Sequence, residues 1–231
     1  MIGTHKLCLQ VLNLGCNSFA LLFDDIDQNL NTTDKTLFHS FAYAQATVTN
    51  EIYHFLNKPH LFLFCPTEYC STRAVPSILT SEYLQTIGEI LDPQIDIMWT
   101  GPKVISKHIS LGSIVTLTKV LKRRPVIWDN IHANDYDQRR IFLGPYCGRS
   151  SKLKSHIRGV LLNPNCEFEA NFIPMHTMAQ WIRLSKWDAD SDMYTLDSGD
   201  NDLQDEYVPS KSLELALIDW LKLIYMVSFI Y

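Results

Sequence analysis

Short apolar runs alternate along the chain with longer stretches of helical periodicity. We predict strands near 17–23, 60–64, 94–99, 124–128 and 158–162, and helices near 5–14, 35–56, 79–91, 110–122 and 174–184. Turn-forming Asn, Asp, Gly and Pro residues separate these segments. A regular alternation of strands and helices predicts βαβ units, and therefore an α/β fold built on a parallel sheet.

A cluster of polar and aromatic residues follows each predicted strand. In chain order the clusters are DDID, CPTEYC, WTGPK, WDNIHANDYD and NPNCEFEAN. Helix capping would account for one or two of them, but not for acids, amides and aromatic rings at every strand end. The carboxyl-terminal mouth of a (β/α) barrel accounts for all five clusters, because active sites of such barrels lie at that mouth.

The first cluster begins with two adjacent carboxylates, Asp24 and Asp25, at the end of the apolar run SFALLF. Two carboxylates held close together do not ionise equally, so one is favoured as an acid and the other as an anion. Capping of a helix that begins near Thr33 is the competing interpretation, and this segment alone supports it at least as well.

Composition restricts the class of protein. A length of 231 residues permits one large domain or two small ones. The net charge of −5 argues against nucleic acid as a partner, since proteins that bind it usually have a basic excess. We predict that the basic runs 122–124 and 152–158 are solvated helix faces or loops.

The cysteines and the chain ends indicate the compartment. The six cysteines form no C-x-x-C pair and no zinc-type spacing with histidine, so we expect no metal and reduced, mostly buried thiols in a cytosolic or nuclear protein. We also expect no cofactor. The first ten residues lack the apolar core of a secretory signal. Asp219 and Lys222 interrupt the apolar carboxyl-terminal stretch, which favours a buried or partner-binding helix over a membrane span.

Residues 186–206 contain eight acids and one lysine, and we predict a disordered linker because such a segment buries too little apolar surface. The spacing of Asp188, Asp190 and Asp192 suggests a calcium loop, but Met193 and Gly199 stand where an EF-hand needs glycine and glutamate. A helical pattern resumes at Ser210. The predicted domains are therefore a partial barrel over 1–185, a linker over 186–209 and the start of a helical domain over 210–231.

Acids, amides and aromatic rings without a His-rich cluster suit a carbohydrate ligand. The sequence has no G-x-G-x-x-G or P-loop phosphate cradle and no G-x-S-x-G elbow. Glycoside hydrolysis normally uses carboxylates on both sides of the scissile bond. Two adjacent acids are badly placed to flank the scissile bond from opposite sides. They suit substrate-assisted cleavage, in which an acetamido group of the sugar replaces the enzyme nucleophile.

Six segments together resemble one family: FALLFDDID, FLFCPTEYC, WTGPKV, PVIWDNIHANDYDQ, FLGPY and GVLLNPNCEFEANF. They resemble the catalytic domain of the eukaryotic O-GlcNAcases, the β-N-acetylglucosaminidases of glycoside hydrolase family eighty-four. The resemblance covers roughly residues 10–185 in the family's order and spacing. It implies a TIM barrel and a retaining, metal-independent hydrolase that removes O-linked N-acetylglucosamine from serine and threonine of nuclear and cytosolic proteins.

The resemblance also implies roles for individual residues. Asp24 would orient the acetamido N–H and stabilise the oxazoline-like intermediate. Asp25 would protonate the departing oxygen and then deprotonate water. Tyr69 would bind the acetamido oxygen. The other predicted contacts are Cys65 and Trp128 in the acetyl pocket, Asn130, Asp135 and Asn163 on the sugar hydroxyls, and Val104 and Tyr136 along the approach.

Residue type alone favours structural roles for several of these positions. Cys65 could be a small buried hydrophobe, Trp128 could fill the barrel, and Asn163 before a proline could form an Asx turn. Asp135 could cap the segment that follows it. The family pattern favours the binding roles, whereas His132 inside the same motif is predicted to be structural.

The chain also departs from the family pattern. A complete barrel has eight strands, and the resemblance begins at the helix before the family's fourth strand. We therefore expect about five of eight β/α units, with two unpaired sheet edges, an open apolar interior and little or no hydrolase activity. A non-catalytic binding module is the alternative, and an aggregation-prone product is a third possibility. A homodimer through the helical stalk is expected of a longer protein.

Overall fold

The computed structural model describes residues 2–27, 30, 32–137, 139–183 and 207–227. The strands are β1 (Ser18–Leu22), β2 (Leu61–Cys65), β3 (Asp96–Trp99), β4 (Val126–Asp129) and β5 (Gly159–Leu162). The helices are α1 (Ile2–Asn13), α2 (Thr32–Leu37), α3 (Phe41–Phe55), α4 (Glu82–Ile90), α5 (Leu111–Leu121), α6 (Phe172–Arg183) and α7 (Pro209–Val227). Two 3₁₀ segments, Ser151–His156 and Phe168–Asn171, lie on either side of β5.

The strands form one parallel sheet in the order β1-β2-β3-β4-β5, so each strand pairs with the next one in the chain. The sheet curls into a half-barrel with helices on its outer side. Sequential parallel pairing through helical crossovers is the arrangement of a (β/α) barrel. The predicted α/β class and the partial barrel of five β/α units are confirmed.

All five predicted strands lie within two residues of their expected bounds. The single helix predicted over 35–56 is wrong, because the chain breaks after Leu37 and α3 begins at Phe41. The Ser40 side chain caps α3 by accepting a hydrogen bond of 3.1 Å from the backbone N–H of Tyr43. A serine that satisfies a free N–H at a helix start stabilises a new helix at that point.

The two faces of the sheet differ in burial. Side chains alternate between the faces of a strand, and those on the outer face, such as Phe64, Trp99 and Ile127, are buried against the helices. The inner face is open in the described structure: Leu22 is 46% exposed and Leu161 is 43% exposed. An open apolar interior was expected for five strands without the rest of a barrel.

Two cations correct the prediction of solvated basic runs. The Arg123 guanidinium donates hydrogen bonds to the carbonyls of Leu91, Asp92 and Ile95. The buried Lys154 ammonium donates to the carbonyl of Ile182 over 2.6 Å. Both side chains therefore supply partners to backbone carbonyls, which is a structural role.

Helix α7 packs against α6. The rings of Phe172 and Trp220 stack with their centroids 6.3 Å apart, and His176 Nε2 lies 3.1 Å from a carboxylate oxygen of Asp219. The hydroxyl of Tyr207 donates to the carbonyl of Tyr146. Most of the predicted acidic linker lies outside the described residues, so the division into domains stays a prediction.

Three observations concern the described residues only. No helix in them is both long enough and apolar enough to cross a membrane. They contain no group of three or more His, Cys, Asp and Glu side chains that could hold a metal ion. Their six cysteines are free thiols, of which Cys65 and Cys70 are buried and Cys166 is exposed.

Candidate active site

A cleft of about 230 Å³ opens at the carboxyl-terminal ends of the strands. Its walls come from the ends of β1 to β4 and from the segments that follow them. The lining residues are Asp24, Asp25, Cys65, Tyr69, Arg73, Thr100, Val104, Trp128, Asn130 and Tyr136. Eight of the ten site residues predicted from the sequence are thus brought together.

Asn163, a ninth predicted residue, touches the cleft through Asn130. Its side-chain amide donates to Oδ1 of Asn130 over 3.1 Å, and the Asn130 amide in turn donates to the Val104 carbonyl over 2.8 Å. Protein partners therefore occupy both ends of the Asn130 side chain. Because a carbonyl oxygen has two lone pairs, Oδ1 of Asn130 can still accept one more hydrogen bond.

Asp135, the tenth predicted residue, is exposed and lies outside the cleft lining. Its neighbour Tyr136 lines the cleft and has a raised pKa, first because of burial and then because of the charges of Asp135 and the acid pair. The buried Asn134 amide fixes the start of this loop by donating to the Glu167 carboxylate over 2.7 Å. The loop is therefore tied to the segment after β5.

The protonation states of Cys65 and Tyr69 determine what these two lining residues can do in the cleft. Burial, followed by the negative charges of Asp24 and Asp25, raises the pKa of the Cys65 thiol far above its ordinary value. A thiol that stays protonated is a poor nucleophile, so Cys65 is a wall residue. Burial also raises the pKa of Tyr69, which keeps its phenol protonated and able to donate a hydrogen bond at neutral pH.

Arg73 and Thr100 line the cleft but were not predicted from the sequence. The guanidinium of Arg73 lies 4.6 Å from the centre of the Tyr69 ring, and its charge lowers the pKa of that phenol against the larger effect of burial. Thr100 donates from its backbone N–H to the Tyr69 carbonyl over 2.9 Å. Arg73 lies outside the five polar clusters, whereas Thr100 belongs to the cluster WTGPK after β3 but was given no role in the prediction.

A second cavity of about 330 Å³ lies near the amino-terminal ends of β1 and β2. Leu12, Phe19, Leu56, Pro59 and His60 are among its lining residues, and no acid is. It is larger than the cleft, but it lacks the paired carboxylates and lies at the end of the strands opposite to the one where barrel enzymes place their chemistry.

Comparisons with known proteins point to one family. Residues 4–205 match the family model described as beta-N-acetylglucosaminidase. The chain is 52% identical over 230 residues to the Protein O-GlcNAcase of Rattus norvegicus, and equally to that of Mus musculus. Each alignment covers 92% of this chain and 25% of the relative, so the chain spans about a quarter of the length of these curated relatives.

The fold is similar to that of a solved O-GlcNAc hydrolase mutant of Thermobaculum terrenum. The two structures superpose with a TM-score of 0.76 at 27% sequence identity. The match covers 91% of this chain and 41% of that one.

Proposed function

Because the chain belongs to the beta-N-acetylglucosaminidase family, we propose that it acts as a retaining hydrolase that removes O-linked N-acetylglucosamine from serine and threonine residues of proteins. One observation above all supports this proposal: Asp24 and Asp25 line the same cleft as Tyr69, Cys65 and Trp128. Two acids, a phenol donor and an apolar wall are the groups that an acetamido sugar needs for substrate-assisted cleavage.

In the proposed reaction, the acetamido oxygen of the sugar attacks the anomeric carbon as the bond to the serine or threonine oxygen breaks. Asp25 gives its proton to that departing oxygen. Asp24 accepts a hydrogen bond from the acetamido N–H and stabilises the positive charge of the oxazoline-like intermediate. Asp25 then takes a proton from water, which attacks the anomeric carbon as its bond to the acetamido oxygen breaks. This second displacement regenerates the acetamido group and restores the original configuration.

The remaining cleft residues would bind and orient the sugar. Tyr69 would donate its phenol proton to the acetamido oxygen, while Cys65 and Trp128 would enclose the acetyl methyl group. The proposed contacts to the sugar hydroxyls are Asn130, Asn163 and the exposed Asp135, and those along the approach of the polypeptide are Val104 and Tyr136.

We expect slow turnover by this chain alone. The inner face of the half-barrel is open in the described residues, as the 46% exposure of Leu22 next to the acid pair illustrates. Water that enters a cleft weakens the electrostatic stabilisation of charge within it. The same openness favours the alternative function, a module that binds the sugar without hydrolysing it.

The decisive experiment measures release of nitrophenol from 4-nitrophenyl N-acetyl-β-D-glucosaminide by three proteins. Asp25→Asn should lower kcat by about 10²- to 10⁴-fold, because it removes the proton donor. Asp27→Asn is the matched control, since it is the same change two residues away and outside the cleft lining; it should retain wild-type turnover. Wild-type protein that binds N-acetylglucosamine but releases no nitrophenol would establish the alternative.

Two further measurements test the mechanism itself. Proton NMR of the first product should detect the β anomer, and appearance of the α anomer would exclude retention. Replacing the acetamido group of the substrate by a trifluoroacetamido group should slow turnover strongly, because fluorine withdraws electrons from the attacking oxygen. Equal rates for both substrates would exclude participation by the acetamido group.

Location and assembly are parts of the same proposal. Free thiols at all six cysteines suit the reducing cytoplasm and nucleus. Exposed apolar side chains on α7, among them Leu217, Leu221 and Ile224, support pairing of two copies through this helix. Light scattering should then give a dimer mass for the wild type and a monomer mass for Leu221→Asp; a monomeric wild type would remove dimerisation from the proposal.

A further inference from the structure

Three residues, Gln45, Thr67 and Tyr83, form a closed ring of hydrogen bonds near the acid pair. The Gln45 amide of α3 donates to the Thr67 hydroxyl over 2.8 Å, and the Tyr83 hydroxyl of α4 donates to Oε1 of Gln45. The backbone N–H of Thr67 donates to the Tyr83 hydroxyl over 2.9 Å, which closes the ring. Thr67 is 2% exposed and Gln45 is 3% exposed, so water competes little for these bonds.

Among the described residues, the side chains of the ring make one further hydrogen bond, and it reaches the end of β1. The Thr67 hydroxyl donates to the carbonyl of Phe23 over 2.7 Å. Phe23 directly follows β1, and its own N–H donates to the Cys65 carbonyl over 2.9 Å. The Phe23 carbonyl belongs to the peptide bond that leads into Asp24, so Thr67 holds the backbone immediately before the first acid.

The direction of each hydrogen bond is fixed by chemistry. Burial raises the pKa of Tyr83 far above its ordinary value, so this phenol keeps its proton and donates it to Gln45. Gln45 can then offer only its amide hydrogens to Thr67. The Thr67 oxygen accepts that bond, which leaves its own proton for the Phe23 carbonyl. Linked hydrogen bonds of this kind strengthen one another in a buried setting.

We propose that Thr67, oriented by Gln45 and Tyr83, is a positioning residue that fixes the Phe23–Asp24 peptide and thereby directs the Asp24 carboxylate into the cleft. Thr67 also lies two residues before Tyr69, so the segment that carries the proposed acetamido donor passes directly through the ring. This inference rests on the proposed function for its catalytic consequence, but its structural part can be measured without turnover.

The sequence offers a direct readout of this peptide. Phe23–Asp24 is the only Phe–Asp pair in the chain. Protein labelled with carbonyl-¹³C phenylalanine and ¹⁵N aspartate therefore gives a single signal in an HNCO spectrum, and that signal reports on the carbonyl that accepts from Thr67.

Four variants distinguish the effect of losing the Thr67 hydroxyl from a general loss of folding. Thr67→Val removes the hydrogen bond at nearly constant shape, Thr67→Ser keeps the hydroxyl, and Tyr83→Phe loosens the ring without touching Phe23. Thr49→Val is the matched control, because Thr49 is 0% exposed and its hydroxyl donates within α3 to the Gln45 carbonyl. Unfolding curves of all four variants establish which of them are folded.

We expect the chemical shift of the Phe23–Asp24 HNCO signal to change in Thr67→Val and to change less in Tyr83→Phe. In Thr67→Ser and Thr49→Val the signal should keep its wild-type chemical shift. Hydrolysis of the nitrophenyl glycoside should follow the same order, with kcat lowered about 10- to 100-fold in Thr67→Val and KM changed less than about threefold. A wild-type signal position in Thr67→Val, or wild-type kcat in a variant whose signal has moved, would overturn the inference.

Failure of the proposed function gives a different pattern. If the wild-type chain releases no nitrophenol, the proposed function fails for this chain, and the HNCO signals alone then decide the inference. If Thr67→Val does not fold, the smaller change of chemical shift expected in Tyr83→Phe tests the inference. A changed chemical shift supports the role of the ring in positioning Asp24, and an unchanged one overturns it.

Discussion

The Arg149 guanidinium holds the Asp129 carboxylate with two hydrogen bonds, 2.6 Å from Nη2 to Oδ1 and 2.7 Å from Nε to Oδ2. The side chains are 2% and 0% exposed. Burial alone would lower the pKa of Arg149, but its hydrogen bonds to Asp129 and the charge of that residue raise it overall. Asp129 directly precedes Asn130, so this pair anchors the strand end that lines one side of the cleft.

Arg149→Met should lower the free energy of unfolding by about 3–5 kcal/mol, because it leaves the buried Asp129 carboxylate without a counter-charge. Urea unfolding measures the change. The double variant Asp129→Asn with Arg149→Met should regain part of the loss, since it no longer buries an unpaired charge. If the free energy of unfolding of Arg149→Met lay within about 1 kcal/mol of the wild-type value, the pair would contribute no more than an exposed ion pair. That result would contradict the predicted stabilising role of Arg149.

The strands were predictable because each combines a continuous apolar run with a polar cluster at its end. The same pattern placed Asp24 and Asp25 at a strand end, where they line the cleft. The break before α3 was missed, because residues 38–40 continue the helical periodicity and the cap at Ser40 depends on one side-chain bond. The prediction for Arg123 and Lys154 was wrong because a basic run has the same sequence pattern whether its cationic groups are solvated or bind backbone carbonyls. Arg73 reaches the cleft through a loop whose path no local pattern indicates.

Arg73→Met should raise the pKa of Tyr69, because it removes the positive charge 4.6 Å from the ring, which opposes the effect of burial. Titration of protein with ¹³Cζ-labelled tyrosine measures the change, and Tyr69→Phe identifies the signal by its loss. Arg124→Met, which removes an exposed cation outside the cleft lining, is the control. An unchanged Tyr69 titration in Arg73→Met would show that the guanidinium does not act on this phenol.

Thr118→Val should stabilise the protein by about 1 kcal/mol, because the hydroxyl of Thr118 is buried and has no hydrogen-bond partner in the described structure. Thr116→Val is a matched control on the same helix, since the exposed Thr116 hydroxyl donates to the Gly112 carbonyl over 2.9 Å. We expect the control to change stability by no more than about 0.5 kcal/mol. Urea unfolding of both variants gives the comparison, and equal effects would contradict the role of the buried hydroxyl.

His132 should make stability depend on pH below about 6.5, the pKa of a histidine in the unfolded chain. It is 2% exposed, and Nε2 lies 2.9 Å from the Gly144 carbonyl, while the buried Nδ1 has no partner among the described residues. Burial lowers the pKa of His132, against smaller opposing effects of the Gly144 carbonyl and Asp129. The unfolded chain, in which a histidine titrates near pKa ~6.5, therefore binds the proton more tightly than the folded chain. Stability is then complete above about pH 6.5 and is lost as pH falls toward the folded pKa, by at most about 1.4 kcal/mol per pH unit.

Because His132→Gln cannot titrate, its free energy of unfolding should fall less than that of the wild type between pH 7 and pH 5. The amide of glutamine can still donate toward the Gly144 carbonyl, so the two proteins should remain comparable near pH 8. His108→Gln makes the same change at an exposed histidine and is the matched control. Parallel profiles for the wild type and His132→Gln would mean that His132 binds its proton equally well in the folded and unfolded chain, which its burial argues against.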